Sequence, residues 1–304
     1  MTRVARCMLA ATLVAGRVAN AQPPSTFRTE TRLVVLHASV KDTRGALVTG
    51  LDLSAFRVYE NGQRQRVALF RRDDIPVSLG LLIDNSGSMR TLRSRVETAA
   101  LAFVRASNPD DEVFVVNFAD KARVDVAMTH DIRAVEAGIA RVDSIGGTAL
   151  RDAVRLADEY LQAHATRDRR ILLVITDGKD NASDTTVRQI EAASERSETA
   201  VFGIGLFTDN GASSNQGRHE LDALTIRTGG VALYPADADA IEPAALDLAQ
   251  QIRRQYLIGY TPTNLALDGT YRTIRVDARH DGPSARLSVR TRAGYRADPN
   301  PTSH

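Results

Sequence analysis

The chain has 304 residues, 43% of them hydrophobic and 25% charged, which is the balance of a globular protein with one large domain or two smaller ones. A formal net charge of +2, scattered arginines and the absence of Trp argue against a nucleic-acid surface, which needs a basic patch or a row of stacking aromatics.

Taken in order, Met1 to Arg6 carries two positive charges, Cys7 to Gly16 is apolar, and Ala19-Asn20-Ala21 has the small-x-small form of a signal-peptidase site. Residues 1–21 therefore read as a signal peptide interrupted by Arg17, the alternative being an amphipathic N-terminus. Cleavage would remove Cys7, the single cysteine, and with it any disulfide or thiol chemistry. No other apolar stretch reaches the ~20 residues that span a bilayer. The expectation is an exported protein, periplasmic or secreted, with no membrane span.

A Pro-containing linker (Gln22 to Ser25) leads to an N-terminal β segment over 28–72. Arg32 to Lys41 alternates, and Phe56 to Glu60 and Gln63 to Phe70 are joined by Asn61-Gly62, the strongest short hairpin signal. From Val77 the pattern becomes strand–helix alternation. Strands are expected at Val77–Ile83, Glu112–Phe118, Ala122–Met128, Ile171–Ile175, Ala200–Leu206 and Val231–Tyr234. Helices are expected at Thr91–Ala106, Asp131–Val142, Ala149–His164, Thr186–Ser197, Leu221–Arg227 and Ala240–Arg254. Val/Ile/Leu-rich strands alternating with helices predict a doubly wound, mostly parallel α/β sheet covered on both faces. The polar stretch Thr208 to Arg218 reads as a loop that borders a binding face or is disordered.

β character returns in a C-terminal segment, 256–296, with strands at Tyr256–Tyr260, Tyr271–Arg279 and Ala285–Thr291 between Asp268-Gly269 and Asp281-Gly282 turns. Each end segment alone buries little core. They are expected to pair into one smaller β-sandwich with the α/β domain (76–255) inserted between them; the alternative is separate packing on the α/β domain. Asp298 to His304 reads as a frayed tail.

Ligands of parallel sheets bind beyond the carboxyl ends of the strands. Asp84 and Asp177 both fall there, in Leu79-Gly80-Leu81-Leu82-Ile83-Asp84-Asn85-Ser86-Gly87-Ser88-Met89 and in Ile175-Thr176-Asp177-Gly178-Lys179-Asp180. Asp84, Ser86 and Ser88 put a carboxylate and two hydroxyls on one short loop, with Gly87 expected to permit a tight backbone path. All are hard oxygen donors of the kind Mg2+ takes, although Asp and Ser are also ordinary turn and cap residues. Thr148, in Gly146-Gly147-Thr148-Ala149-Leu150, stands at a helix entrance with a further hydroxyl that could instead cap the helix.

These three stretches together resemble the von Willebrand factor type A domain and its metal-ion-dependent adhesion site, whose D-x-S-x-S, Thr and T-D-G pattern is met by Asp84, Ser86, Ser88, Thr148 and Asp177. The resemblance runs from Pro76 to Gln255. It implies a Mg2+ site, with Mn2+ or Ca2+ as alternatives, in which the serines ligate directly and the Thr and acids act directly or through water. It also implies a protein partner whose Asp or Glu completes the octahedron. The first helix, starting just after the loop, would direct its N-terminal dipole toward such a carboxylate.

The wider chain resembles a bacterial group of exported proteins with this domain between β segments. The shared stretches are Leu53-Ser54-Ala55-Phe56-Arg57-Val58, Glu60-Asn61-Gly62, Gly146 to Leu150, and Tyr256-Leu257-Ile258-Gly259-Tyr260.

The expected function is thus metal-dependent protein binding or adhesion. The rivals are a scaffold with a vestigial metal site and a Mg2+-dependent hydrolase. Catalysis would want a base, a second metal or a phosphate clamp, and no nucleophile elbow or phosphate-binding loop is present. His37, His130, His164, His219 and His280 are scattered over unrelated elements, which reads as structural or solvated histidine. Asp110-Asp111-Glu112 reads as a turn with Pro109. Asp180 and Asp184 either add negative potential at the site or lie on a solvated loop.

Overall fold

Alternating apolar residues build strand β1 (Val34–Lys41), whose Val34, Leu36, Ala38 and Val40 are buried. The chain is described by a computed structural model over residues 33–141, 146–207, 211–279 and 287–299. The expected signal peptide, the linker after it, Ile145, His280 and the Asp281-Gly282 turn lie outside these residues. Strand β2 (Phe56–Glu60) and β3 (Gln63–Gln65) form the expected hairpin, Asn61 and Gly62 having φ of 48° and 79°. Two successive positive φ values define the type I′ turn. Gly62→Ala should therefore cost about 1–2 kcal/mol, measured as a lower urea midpoint at unchanged slope.

Sequence reading made Gln63–Phe70 one strand. The structure divides it at Arg66 into β3 and β4 (Val67–Arg71), and the two halves join different sheets. A strand that turns the corner of a sandwich in this way keeps its apolar period, so the pattern hides the break.

The α/β domain runs β5 (Val77–Asp84), α1 (Arg93–Ala106), β6 (Glu112–Phe118), β7 (Ala122–Thr129), α2 (Ile132–Ile139), α3 (Leu150–His164) and β8 (Arg169–Thr176). It continues through α4 (Val187–Arg196), β9 (Ala200–Gly205), α5 (Ala212–Thr228), β10 (Ala232–Leu233) and α6 (Ile241–Arg253). The sheet order is β10-β9-β8-β5-β6-β7, parallel except for the β6–β7 pair. Every residue of β5 and β6 is buried, as expected of strands covered on both faces. One apolar layer joins the sheet to α1, α2 and α6, and a second joins it to α3, α4 and α5.

Helix α5 corrects the sequence reading, which left Thr208–Arg218 as a loop and began a helix at Leu221. Its first turns, rich in Ser, Asn and Gly, have poor helix propensity. Packing overrides it: Gly217 brings the backbone against the Phe207 ring, and the Arg218 guanidinium stacks on Phe207 and Tyr234 at 5.3 and 4.8 Å.

Strands β11 (Tyr256–Tyr260), β12 (Tyr271–Ala278), β13 (Ser288–Arg290) and β14 (Gly294–Arg296) return to the N-terminal segment. They form two four-stranded sheets, β13-β1-β11-β4 and β14-β12-β2-β3, enclosing one core that includes Leu36, Val58, Ile258 and Val276. Strand β14 was missed because three residues carry no readable period. Among the described residues no helix is long and apolar enough to cross a membrane.

Candidate metal centre

Strand β5 lies between β6 and β8, so successive connections leave it in opposite directions. The crevice at such a switch point, at the carboxyl ends of the strands, is where open α/β sheets bind ligands. Asp84 ends β5, and Asp177 follows β8 directly.

Asp84 is fully buried. Its Oδ2 accepts from Thr176 Oγ1 at 2.6 Å and its Oδ1 from the Ser86 backbone N–H at 2.8 Å. Burial pushes its pKa up to about 6 against these hydrogen bonds, and Asp177 adds to the rise. Asp177, half-buried, is also raised by desolvation and accepts from Ser88 Oγ at 2.8 Å. Ser86 Oγ and Ser88 Oγ are 3.1 Å apart. A continuous chain of oxygens thus runs from Ser86 through Ser88 to Asp177, with Ser88 at the exposed mouth and Asp84 at the floor.

Thr148 completes the cluster from a third loop. The cap of α3 is Ala149, without a side-chain bond, and Asp180 Oδ2 accepts from Arg151 N–H at 2.8 Å in the capping role. The Thr148 hydroxyl is left with no hydrogen bond among the described residues, although Thr148 is 3% exposed. Gly178 lets that hydroxyl approach the third loop, since a Cβ there would lie 2.9 Å from Thr148 Oγ1. The three loops that carry the five oxygen-bearing side chains therefore adjoin, bringing two carboxylates and the Thr148 hydroxyl to one end of the sheet. That donor set suits a hard divalent cation.

The loops are stitched together with the help of Asp120, Asn181, Arg93 and Asn117, which sequence reading did not single out. Gly87 N–H meets Gly146 O at 3.4 Å, Gly147 N–H donates to Asp120 Oδ1 at 2.6 Å, and Thr148 N–H donates to Asn181 Oδ1 at 2.8 Å. Gly146 has φ +118° and a Cβ there would strike the Asp120 carboxylate, so glycine is required at that point. Buried Arg93 donates to Asn85 Oδ1, Ile139 O and Arg141 O, and Asn85 Nδ2 donates to Asn117 Oδ1 at 2.9 Å. One signal was present: Asn117 is a lone amide inside the apolar run of β6, where an unpartnered polar group would be costly.

Three local expectations are corrected. Gly87 has an ordinary φ and open space around its Cβ position, so the loop path does not need glycine there. A 3-10 turn over Gly87–Thr91 comes before α1, which starts at Arg93 and not at Thr91. Asp180 is buried and paired with Arg151 at 2.9 Å, so it is neither a solvated loop residue nor an open acid at the mouth. Among the described residues no three His, Cys, Asp or Glu side chains converge on a metal position.

Residues 79–179 match the family model for the von Willebrand factor type A domain. This segment is a von Willebrand factor type A domain. The matched segment begins in β5 and ends on the Asp177 loop, so it contains all three loops of the centre. No curated protein matches the chain by sequence. In fold, the chain is similar to a von Willebrand factor type A protein from Catenulispora acidiphila, with a TM-score of 0.50 and 14% identity over 88% of this chain and 75% of that one. It is also similar to the PilB minor pilin of Streptococcus sanguinis (TM-score 0.48, 14% identity, 60% of this chain and 63% of that one). A third likeness is to proximal thread matrix protein 1 of the mussel byssus, in a structure with a zinc-occupied MIDAS motif (TM-score 0.49, 16% identity, 64% and 49%). The chain thus spans less than two thirds of the pilin and about half of the byssus protein.

Proposed function

We propose that this von Willebrand factor type A protein is an exported module that binds a partner protein through a divalent cation, Mg2+ in the first instance, with no catalytic role. The proposal assigns residues 1–21 to a signal peptide, 76–255 to the binding domain, and 28–72 with 256–296 to the supporting β segments. The observation that supports it is the Ser86–Ser88–Asp177 chain of oxygens beside buried Asp84 at a sheet switch point, with the Thr148 loop adjoining it through Gly146 and Gly178. These residues would hold the metal. When bound, the cation supplies a Lewis-acidic position able to take a carboxylate oxygen from the partner's Asp or Glu. The chain itself orients the donors: Thr176 holds Asp84, Asp177 holds Ser88, and the Asp120 and Asn181 contacts hold the Thr148 loop.

The test is thermal unfolding in EDTA and in excess Mg2+. A dissociation constant near 1 mM gives about 1.4 kcal/mol at ten times that concentration, or a rise of roughly 2–3 °C for a chain of this size unfolding as one unit. The rise should vanish in Asp84→Ala, and capture of a partner should be lost in EDTA. A parent protein whose midpoint ignores both Mg2+ and Mn2+ would overturn the reading.

A further inference from the structure

Arginines that are scattered in sequence gather on one surface of the sandwich. In β2 the buried Phe56, Val58 and Glu60 turn Arg57 and Tyr59 to the outer face. In β12 the buried Ile274, Val276 and Ala278 do the same for Arg275 and Asp277. The register aligns them: Tyr59 lies between Arg275 of β12 and Arg64 of β3, and Arg57 lies opposite Asp277. By the same alternation Arg66 and Arg279 extend this face past the ends of β3 and β12, and both are exposed. Five arginines thus share the outer face of these three strands with one carboxylate.

Most of that charge has no partner within the chain. Arg57, Arg64, Arg66 and Arg279 make no side-chain hydrogen bond or ion pair among the described residues. Asp277 is held by Arg275, whose guanidinium also lies over the Tyr59 ring at 4.2 Å. At the β14 edge Arg296 is tied to Glu195 of α4. Like charges gathered on one face repel, and an anionic partner relieves them.

Exposed leucines at the two ends of the same sheet narrow the choice of partner. Leu53, 43% exposed, precedes β2 at the end where Ala55 O accepts from Arg279 N–H at 3.0 Å. Leu265 and Leu267, 59% and 44% exposed, belong to the connection into the other end of β12, where Arg272 Nη2 donates to Ala266 O at 2.8 Å. The acids beside them, Asp52 and Asp268, are each paired with an arginine, Arg72 and Arg272. A soluble polyanion has no use for exposed leucine. A bilayer takes arginine at its phosphates and leucine just beneath them.

We propose that this face docks on an anionic lipid surface, with the arginines on headgroup phosphates and the leucines in the layer below. The guanidinium fork matches phosphate oxygens. The sandwich is joined at the amino end of β5 and the metal centre lies at its carboxyl end, so the two sites share no residue.

Co-sedimentation of the mature chain with vesicles, in EDTA so that the metal centre takes no part, tests this. We expect saturable binding to equimolar phosphatidylglycerol and phosphatidylcholine that falls as salt rises, and none to phosphatidylcholine alone. Arg64→Gln with Arg66→Gln should weaken binding about 25-fold, each arginine at such a surface being worth about a factor of five. Leu265→Ser with Leu267→Ser should weaken it about tenfold or more. All four positions are exposed, so both variants should keep the parent's urea midpoint. No binding to the anionic vesicles, or parent-like binding by either double variant, would overturn the proposal. Tighter binding to a soluble sulfated polysaccharide, unchanged by the leucine substitutions, would also overturn it and give the face to a carbohydrate.

Discussion

Replacing Glu60 with alanine should destabilise the protein by about 3–5 kcal/mol, the cost of breaking a buried ion pair from one side. The Glu60 side chain is 2% exposed in the sandwich core. Its Oε2 accepts from Tyr260 and Tyr295 hydroxyls at 2.8 and 2.9 Å, and its Oε1 lies 3.6 Å from Nη1 of Arg272, itself 1% exposed. Burial, then the bond to Glu60, raises the Tyr260 pKa above the ordinary phenol value, so the phenol stays protonated and donates. Alanine would take the shared acceptor from two buried hydroxyls and the nearest carboxylate from Arg272 Nη1, although the rest of that guanidinium keeps Ala266 O, Thr270 and Asp268. Urea unfolding reads the loss as a lower midpoint. The paired change Glu60→Met with Arg272→Met should recover much of it, because two apolar groups leave no stranded charge. A loss under about 1 kcal/mol in Glu60→Ala would mean that water reaches the cluster.

Gly230→Ala should cost about 3 kcal/mol or more, through overpacking against a group that cannot move aside. A Cβ at Gly230 would lie 1.9 Å from the carbonyl oxygen of Val201 in β9. The obstacle is backbone inside a parallel ladder, so β10 would have to leave the sheet. The damage would spread to the sandwich, because Arg290 Nη1 donates to Gly230 O at 3.1 Å and Ala293 N–H to Arg227 O at 3.3 Å. Hydrogen exchange should show faster amides in both β9 and β13. Protection equal to the parent's in β13 would refute that coupling.

Legibility in the sequence followed burial. Strands β5, β6 and β8 each carry a run of apolar residues, so their position, and with it the placing of Asp84 and Asp177 at strand ends, could be read directly. Asn61-Gly62 announced its turn because few other pairs accept two positive φ values. The α/β class and the smaller sandwich from the two ends were both legible from the change of period along the chain. What could not be read depends on distant partners. The first turns of α5 are helical because Phe207 and Tyr234 hold them, and the break at Arg66 exists because two sheets meet there. The second layer of the centre, Arg93, Asn85, Asp120 and Asn181, joins loops far apart in sequence by polar contacts that leave no periodic trace.

The pairing of β4 with β11, Arg71 facing Leu257, means that the α/β domain fills the gap of a very wide hairpin. Closing an unstructured loop of that length costs on the order of 4–5 kcal/mol in chain entropy. Once the inserted domain has folded, its entry and exit points are already side by side and most of that cost is met. During synthesis β1 and β2 emerge long before their partners β11 and β12. The inserted domain is therefore the template for assembly, and the sandwich closes after it, holding open strand edges until β11 and β12 have been made.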